Sequence, residues 1–280
     1  MAKPFVNPFV SGQFLELRVD ALVSDGRGLG RHGGVVVLVE DALPGQLVRA
    51  RVSAVRKSLA EAALVEVLER SPDEQGPPCP HAGRCGGCSW QSLAYARQLA
   101  WKERIVRDAL ERVGKVACPP MLPILPSPSE WGYRNKMEFA FGVSDDGGKA
   151  LGLRERGSRS IVEVTGCLLQ TPLTMRVLEA VRLLSNGAFR DLDGRFLVVR
   201  EPHAGGCFVE LITGAGGSPE AGERFAAALR TELPEVTGFA LSERLASSDV
   251  AYGERTLYAD GRLEERIGDV RLQMGHNAFF

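Results

Sequence analysis

Between residues 14 and 69 the apolar positions come in short runs divided by turn-forming residues. Phe14-Leu15-Glu16-Leu17-Arg18-Val19 alternates loosely, and Val35-Val36-Val37-Leu38-Val39 is an unbroken apolar run after the His32-Gly33-Gly34 turn. Residues 46–55 and 60–68 read as two more strands beyond the Leu43-Pro44-Gly45 turn. Alternation over a few residues predicts a half-buried strand, and a short continuous run predicts a buried one. Four or five such strands in so short a stretch predict a small closed barrel of the OB type, because closure removes unpaired strand edges. We place it at residues 10–70.

Residues 72–80 are rich in proline, glycine and charge and form a linker. In residues 92–113 the positions Leu99, Ile105, Val106, Ala109, Leu110 and Val113 recur at helical spacing, with Gly114 suited to the residue after the helix. Prolines crowd residues 119–128, which must run extended. Residues 71–118 thus make a cysteine-bearing segment with one helix, and 129–280 a third region. There the strand candidates are 133–142, 149–156, 195–201, 207–213, 236–242, 255–260 and 269–274. Helices are predicted at 172–185 and 219–231, the second capped by Ser218 with Pro219 in its first turn. Turns such as Asp145-Asp146-Gly147-Gly148 join strands into hairpins, and strands outnumber helices, so the fold class is α+β.

Composition adds limits. The 280 residues are 44% hydrophobic and 25% charged, as in a globular protein, and no run of about 18 apolar residues could span a membrane. Met1-Ala2-Lys3-Pro4 lacks the apolar core of a signal peptide, so the default location is the cytoplasm, where thiols stay reduced. A net charge of −1 means that any nucleic-acid surface must be a local patch.

Six cysteines in a reducing compartment point to metal or catalysis more than to disulfides. Cys79, Cys85 and Cys88 lie within ten residues, with Gly86-Gly87 letting the backbone turn tightly about one centre. A fourth ligand is needed for a zinc ion or a four-iron cluster, and the spacing leaves both open, His81 being an alternative donor for zinc. Cys167, at a strand end before a turn, is placed to offer one; Cys118 and Cys207 read as buried, inert thiols. Gly214-Ala215-Gly216-Gly217 lies between a strand and a helix but lacks the dinucleotide fingerprint, and Gly26, Gly28 and Gly30 lead into a strand with no helix to receive a phosphate. Among basic residues, Arg27 and Arg31 fall in the barrel, Arg56-Lys57 at a strand end, and Tyr133-Arg134-Asn135-Lys136 joins an aromatic face to charged and amide donors, a set suited to phosphate and base together.

Taken in order, Gly28-Leu29-Gly30-Arg31, Leu43-Pro44-Gly45, Cys79…Cys85-Gly86-Gly87-Cys88-x2-Gln91, Tyr95…Gln98-Leu99…Lys102, Tyr133-Arg134-Asn135-Lys136 and Gly166-Cys167 resemble the RNA uracil-C5 methyltransferases that carry a TRAM domain and an iron–sulfur cluster. The resemblance implies a [4Fe–4S] cluster on Cys79, Cys85, Cys88 and Cys167. It implies RNA contacts from Arg134, Asn135, Lys136 and the barrel, Arg31 included, with ribosomal RNA favoured over transfer RNA. Members of that family continue into a domain that binds S-adenosylmethionine and supplies a nucleophilic cysteine. This sequence stops at Gly275-His276-Asn277-Ala278-Phe279-Phe280. The expectation is therefore an RNA-binding, iron–sulfur portion without its methyl-transfer domain, inactive alone, with S-adenosylmethionine bound only by a full-length enzyme. Two other readings are a stand-alone metal-stabilised RNA-binding module, and redox chemistry, against which the x5 spacing between Cys79 and Cys85 argues.

Overall fold

The computed structural model describes residues 7–144 and 147–278. The chain divides into two compact units. One comprises Met1–Gly83 and Cys88–Pro128, the other Arg84–Gly87 and Ser129–Phe280.

The first unit is built on a closed five-stranded barrel: β1 (Phe14–Leu22), β2 (Gly28–His32), β3 (Val35–Glu40), β4 (Leu47–Val55) and β5 (Leu59–Glu69), in the order β1-β2-β3-β5-β4. Inward positions alternate along β1 and β4, so Leu15, Leu17 and Val19 meet Val48, Ala50 and Val52 in one core with Val35, Val37 and Val39. Gly33 and Gly34 both take positive φ (58° and 82°) between paired His32 and Val35, the two-residue turn that matches strand twist. Gly30 is needed for another reason. A Cβ there would lie 2.3 Å from the carbonyl oxygen of Arg18. The glycine-rich stretch serves close strand approach, in agreement with the rejection of a phosphate loop.

Helix α1 (Tyr95–Asp108) packs Trp101 against Leu22, Leu43 and Leu93, and continues as a π-helical turn, Ala109–Val113. The helix ends differently from the prediction. Gly114 has φ −74° and its N–H bonds the Ala109 carbonyl at 2.8 Å, while Lys115 adopts φ 55°. The wider turn absorbs one extra residue, so the left-handed position falls past the glycine.

The second unit is a seven-stranded sheet in the order β12-β11-β10-β9-β6-β7-β8, formed by β6 (Lys136–Val143), β7 (Lys149–Arg154), β8 (Ile161–Val162), β9 (Gly194–Arg200), β10 (Cys207–Thr213), β11 (Val236–Glu243) and β12 (Arg255–Asp260). Pairing is antiparallel except between β10 and β11, which helix α3 (Pro219–Glu232) connects as a βαβ unit. Helix α2 (Pro172–Asn186) and α3 cover one face, where Met137, Phe139, Leu197, Val199, Val209, Leu211, Phe239 and Leu241 form the core with Val177, Val181, Phe225 and Leu229. The opposite face carries Ala140, Phe196, Val198 and Ile212. A separate hairpin joins β13 (Leu263–Ile267) and β14 (Val270–Met274). The architecture is the mixed α and β one expected, dominated by sheet. Sequence pattern missed β8, only two residues long, and β13, whose Glu264, Glu265 and Arg266 hide an apolar alternation. Asp145 and Asp146 of the predicted hairpin turn, and the terminal Phe279-Phe280, lie outside the described residues.

Candidate nucleic-acid interface

On the barrel, most arginines face carboxylates. Arg18 pairs with Glu69 at 2.5 Å, Arg49 with Glu16 at 2.9 Å and Arg56 with Glu61 at 3.3 Å. Arg27 holds Asp25 at 2.7 Å, and that bond keeps the Asp25 carboxyl below its ordinary range. Arg31 and Arg51 are the exceptions: both are exposed and have no acidic partner among the described residues. Arg51 on β4 lies directly opposite Phe14 on β1, whose ring is 59% exposed. Sequence reasoning singled out Arg31 but missed Arg51 and Phe14. The signal was available only as a pairing register, which places a ring beside a cation across two strands.

In the second unit, the approach to β6 is fixed by backbone bonds. Gly132 N–H donates to the Leu168 carbonyl at 2.8 Å, Arg134 N–H to Leu169 at 3.0 Å, and Glu201 N–H to Asn135 at 2.7 Å. The Arg134 guanidinium has no carboxylate partner among the described residues and reaches Met137 Sδ at 4.0 Å. Lys136 differs: its ammonium lies 2.9 Å from Glu138, so it is not a bare cation. Behind it, on the helix-free face, Glu210 is buried beside Ser242, which donates to it at 2.7 Å, with Arg200 3.9 Å away. Burial raises the Glu210 carboxyl above its usual range.

The cysteines fall in both units. Cys79 and Cys88 belong to the first, Cys85 and Cys167 to the second. Arg84–Gly87 runs beside β7: Gly86 N–H donates to the Arg154 carbonyl at 3.0 Å, Arg156 N–H to Arg84 at 2.9 Å, and Cys85 bridges Glu155. Cys79, Cys85, Cys88, Cys118 and Cys167 are all partly exposed, whereas Cys207 is fully buried, with its thiol pushed up to about 12 by desolvation. Cys207 is the buried core thiol expected, whereas Cys118, expected to be buried as well, is partly exposed in the proline-rich connector. Among the described residues, no group of three or more His, Cys, Asp or Glu side chains comes together so as to hold a metal ion. At the Gly214 loop the Asp193 carboxylate lies where a Gly214 Cβ would be, and Gly214 N–H is taken up by the Asp193 carbonyl at 2.7 Å. Among the described residues no helix is long and apolar enough to cross a membrane.

Comparison with known proteins bears on both units. Residues 8–65 match the TRAM domain family. An uncharacterized RNA methyltransferase of Nitratidesulfovibrio vulgaris is 46% identical over 97% of this chain and 60% of its own length. Another, from Synechocystis, is 31% identical over 96% of this chain and 60% of its own length. The crystal structure of Pyrococcus abyssi tRNA (uracil-54, C5)-methyltransferase with S-adenosyl-L-homocysteine superposes on 94% of this chain and 60% of that one, with a TM-score of 0.66 and 23% identity, a likeness of fold. The chain spans about three-fifths of the length of these relatives. These findings correct the expectation of an RNA-binding, iron–sulfur portion without its methyl-transfer domain. That expectation leaned on where the sequence stops and on a missing nucleophile, yet almost every residue aligns with proteins named RNA methyltransferases. What the chain carries is a TRAM barrel joined to a sheet unit, both lying within sequence shared with RNA methyltransferases over nearly its whole length.

Proposed function

We propose that this chain serves S-adenosylmethionine-dependent methylation of RNA at uracil C5, and that its barrel and the start of β6 grip the RNA. The observation carrying the RNA reading is electrostatic. On a molecule of net charge −1, Arg31, Arg51 and Arg134 have no carboxylate partner among the described residues, and Arg51 sits beside an exposed aromatic ring. A guanidinium next to a ring suits a phosphate and an unstacked base at once, which favours single-stranded or looped RNA. Asn135 offers a further amide next to Arg134, and Lys136, paired with Glu138, would reach a phosphate only by giving up that pair. The names of the relatives support methyl transfer as the chemistry, and S-adenosylmethionine would supply the methyl group.

Four thiolates, Cys79, Cys85, Cys88 and Cys167, form the donor set for a [4Fe–4S] cluster in this reading; each is partly exposed, and none carries the burial that makes Cys207 inert. The cluster would act as a covalent clip on the chain, adding folding stability.

Two experiments test this. Replacing Arg31, Arg51 and Arg134 by Ala should each weaken binding of a loop-bearing RNA, by about 1–3 kcal/mol for a pair of changes, and reduce its salt dependence. Melting temperature should hold, because none of the three guanidinium groups has a carboxylate partner among the described residues. Unchanged affinity in the triple variant would refute the assigned surface. Anaerobically prepared protein should be brown with about four irons per chain. Cys167→Ser should lose that colour while Cys118→Ser and Cys207→Ser keep it; one zinc per chain instead would end the cluster assignment.

A further inference from the structure

The turn between β7 and β8 is strongly basic, and the RNA reading does not use it. Arg154, Arg156 and Arg159 stand close together in the sequence. Arg84 is brought beside them, because Arg156 N–H donates to the Arg84 carbonyl at 2.9 Å and Gly86 N–H to the Arg154 carbonyl at 3.0 Å. Within the turn one carboxylate answers them, Glu155, which pairs with Arg84 at 3.4 Å. Arg159 is exposed and has no acidic partner among the described residues. On a chain of net charge −1 such a cluster is a local feature and calls for a cause.

The carboxylate that meets Arg154 comes from far along the chain. Asp249 lies in the segment that crosses from β11 to β12, and its Oδ1 accepts from Arg154 Nη2 at 2.6 Å. Arg154 Nη1 donates to the Arg159 carbonyl, also at 2.6 Å, which fixes the guanidinium with its other nitrogen turned to the crossing segment. That segment is fastened at both ends without Asp249. Arg195 Nη1 donates to the Arg244 and Ala246 carbonyls at 2.9 and 2.6 Å, and Arg244 Nη1 donates to the Tyr252 carbonyl at 3.1 Å. Both partners of the ion pair stay open to solvent, the Arg154 side chain at 34% and that of Asp249 at 47%. An ion pair so exposed contributes little to stability, so another anion displaces the carboxylate at small cost.

There is room for that anion. Arg154 borders two open hollows. One, of about 290 Å³, is also lined by Phe196, Asp249, Val250 and Ala251. The other, of about 410 Å³, is lined by Gly86, Gly87, Arg156 and Gly157 as well. The glycines leave bare backbone along the second hollow, and a Cβ on Gly157 would meet nothing within 4 Å. A guanidinium receives two phosphate oxygens in the geometry in which it receives two carboxylate oxygens, so Asp249 holds the place that a phosphate suits. Several arginines along one groove fit a chain of phosphates, which positions a nucleic acid without reading its bases.

We infer that Asp249 is a built-in competitor of RNA: it occupies Arg154 until an RNA phosphate enters the groove beside the β7–β8 turn and takes its place. This rests on the RNA-binding reading above and deepens it with a further backbone contact and the group that restrains it. The whole chain is titrated with a short fluorescent single-stranded RNA at several salt concentrations. Asp249→Asn should bind about threefold to fivefold more tightly at low salt, the size of one exposed charge contact, and with a steeper salt dependence. It should melt near the parent's temperature, because Arg195 and Arg244 still hold the segment. Asp191→Asn removes the same charge from a side chain 99% exposed and should bind as the parent does. Arg154→Gln combined with Asp249→Asn should bind no more tightly than Arg154→Gln alone, since the competitor then has nothing to restrain. Asp249→Ala serves the same comparisons should the asparagine variant not fold. Unchanged affinity in the Asp249 variant overturns the inference and leaves the ion pair a structural tie. An equal gain in Asp191→Asn, or a gain that survives the loss of Arg154, overturns it too, by assigning the effect to net charge. Failure of the parent to bind the RNA at low salt would instead remove the RNA-binding reading, and this inference with it.

Discussion

At the scale of single residues, environment separates side chains of one type. Cys207 and Cys79 have the same thiol, yet only the first lies wholly inside an apolar core, where a thiolate would be desolvated. Alkylation of native, metal-free protein near pH 8 should modify the partly exposed cysteines and spare Cys207; a labelled Cys207 without unfolding would mean the core is open. Gly30 is a second case. Alanine there would push a methyl group to 2.3 Å from the Arg18 carbonyl, so Gly30→Ala should destabilise the barrel by about 1–3 kcal/mol, while Gly12→Ala, which meets nothing but takes φ 86°, should cost about 1 kcal/mol from backbone strain. Denaturant titration of both variants checks the difference. The arginines follow the same logic. Sequence marks Arg27 and Arg31 alike, but Arg27 is tied to Asp25, whereas Arg31 has no acidic partner among the described residues, a distinction set by the turn geometry at Gly26 and by the strand that follows.

At the scale of elements, helix α3 is fastened to the edge of its sheet by a polar clamp. Arg230 holds both oxygens of Asp260 at 2.7 and 2.5 Å, Tyr258 donates to the same carboxylate at 2.6 Å, and Phe239 N–H donates at 3.1 Å. The Arg230 bond, foremost, lowers the Asp260 carboxyl below its ordinary range. A carboxyl with a depressed value in the folded state stabilises above its unfolded value near 4 and loses that contribution as pH falls through the folded value. Asp260→Asn should therefore cost about 1–2 kcal/mol at pH 7, a figure reduced for solvent exposure, and the gap to the parent should narrow as pH drops below about 4. Urea melts across that range would reveal it, and a pH-independent gap would assign the cost to shape alone. The cap of the same helix is simpler. Ser218 accepts from Ala221 N–H at 3.1 Å, and Ser218→Ala should cost about 1 kcal/mol at any pH near neutrality.

At the scale of the whole molecule, near-zero net charge makes RNA affinity depend on a few uncompensated arginines rather than on a general field. Binding should therefore decline with salt along a shallow slope, reflecting few released counterions; a slope as steep as that of a strongly basic protein would contradict the local patch. Periodicity and punctuation in the sequence determined a small barrel of four or five strands, the helices beginning at 172 and 219, the second with its Ser218 cap, and the strands at 207–213 and 255–260, because alternation, caps and turn glycines act over a few residues. The resemblance to RNA methyltransferases was legible in ordered short motifs, but the stopping point of the chain misled as to its role. Only the tertiary structure decided that Arg51 meets Phe14 across two strands, that Lys136 is paired with Glu138, and that the Arg134 N–H is taken up by the Leu169 carbonyl. Each of these joins residues through strand register, side-chain pairing or burial, which depend on contacts between segments that no local pattern encodes.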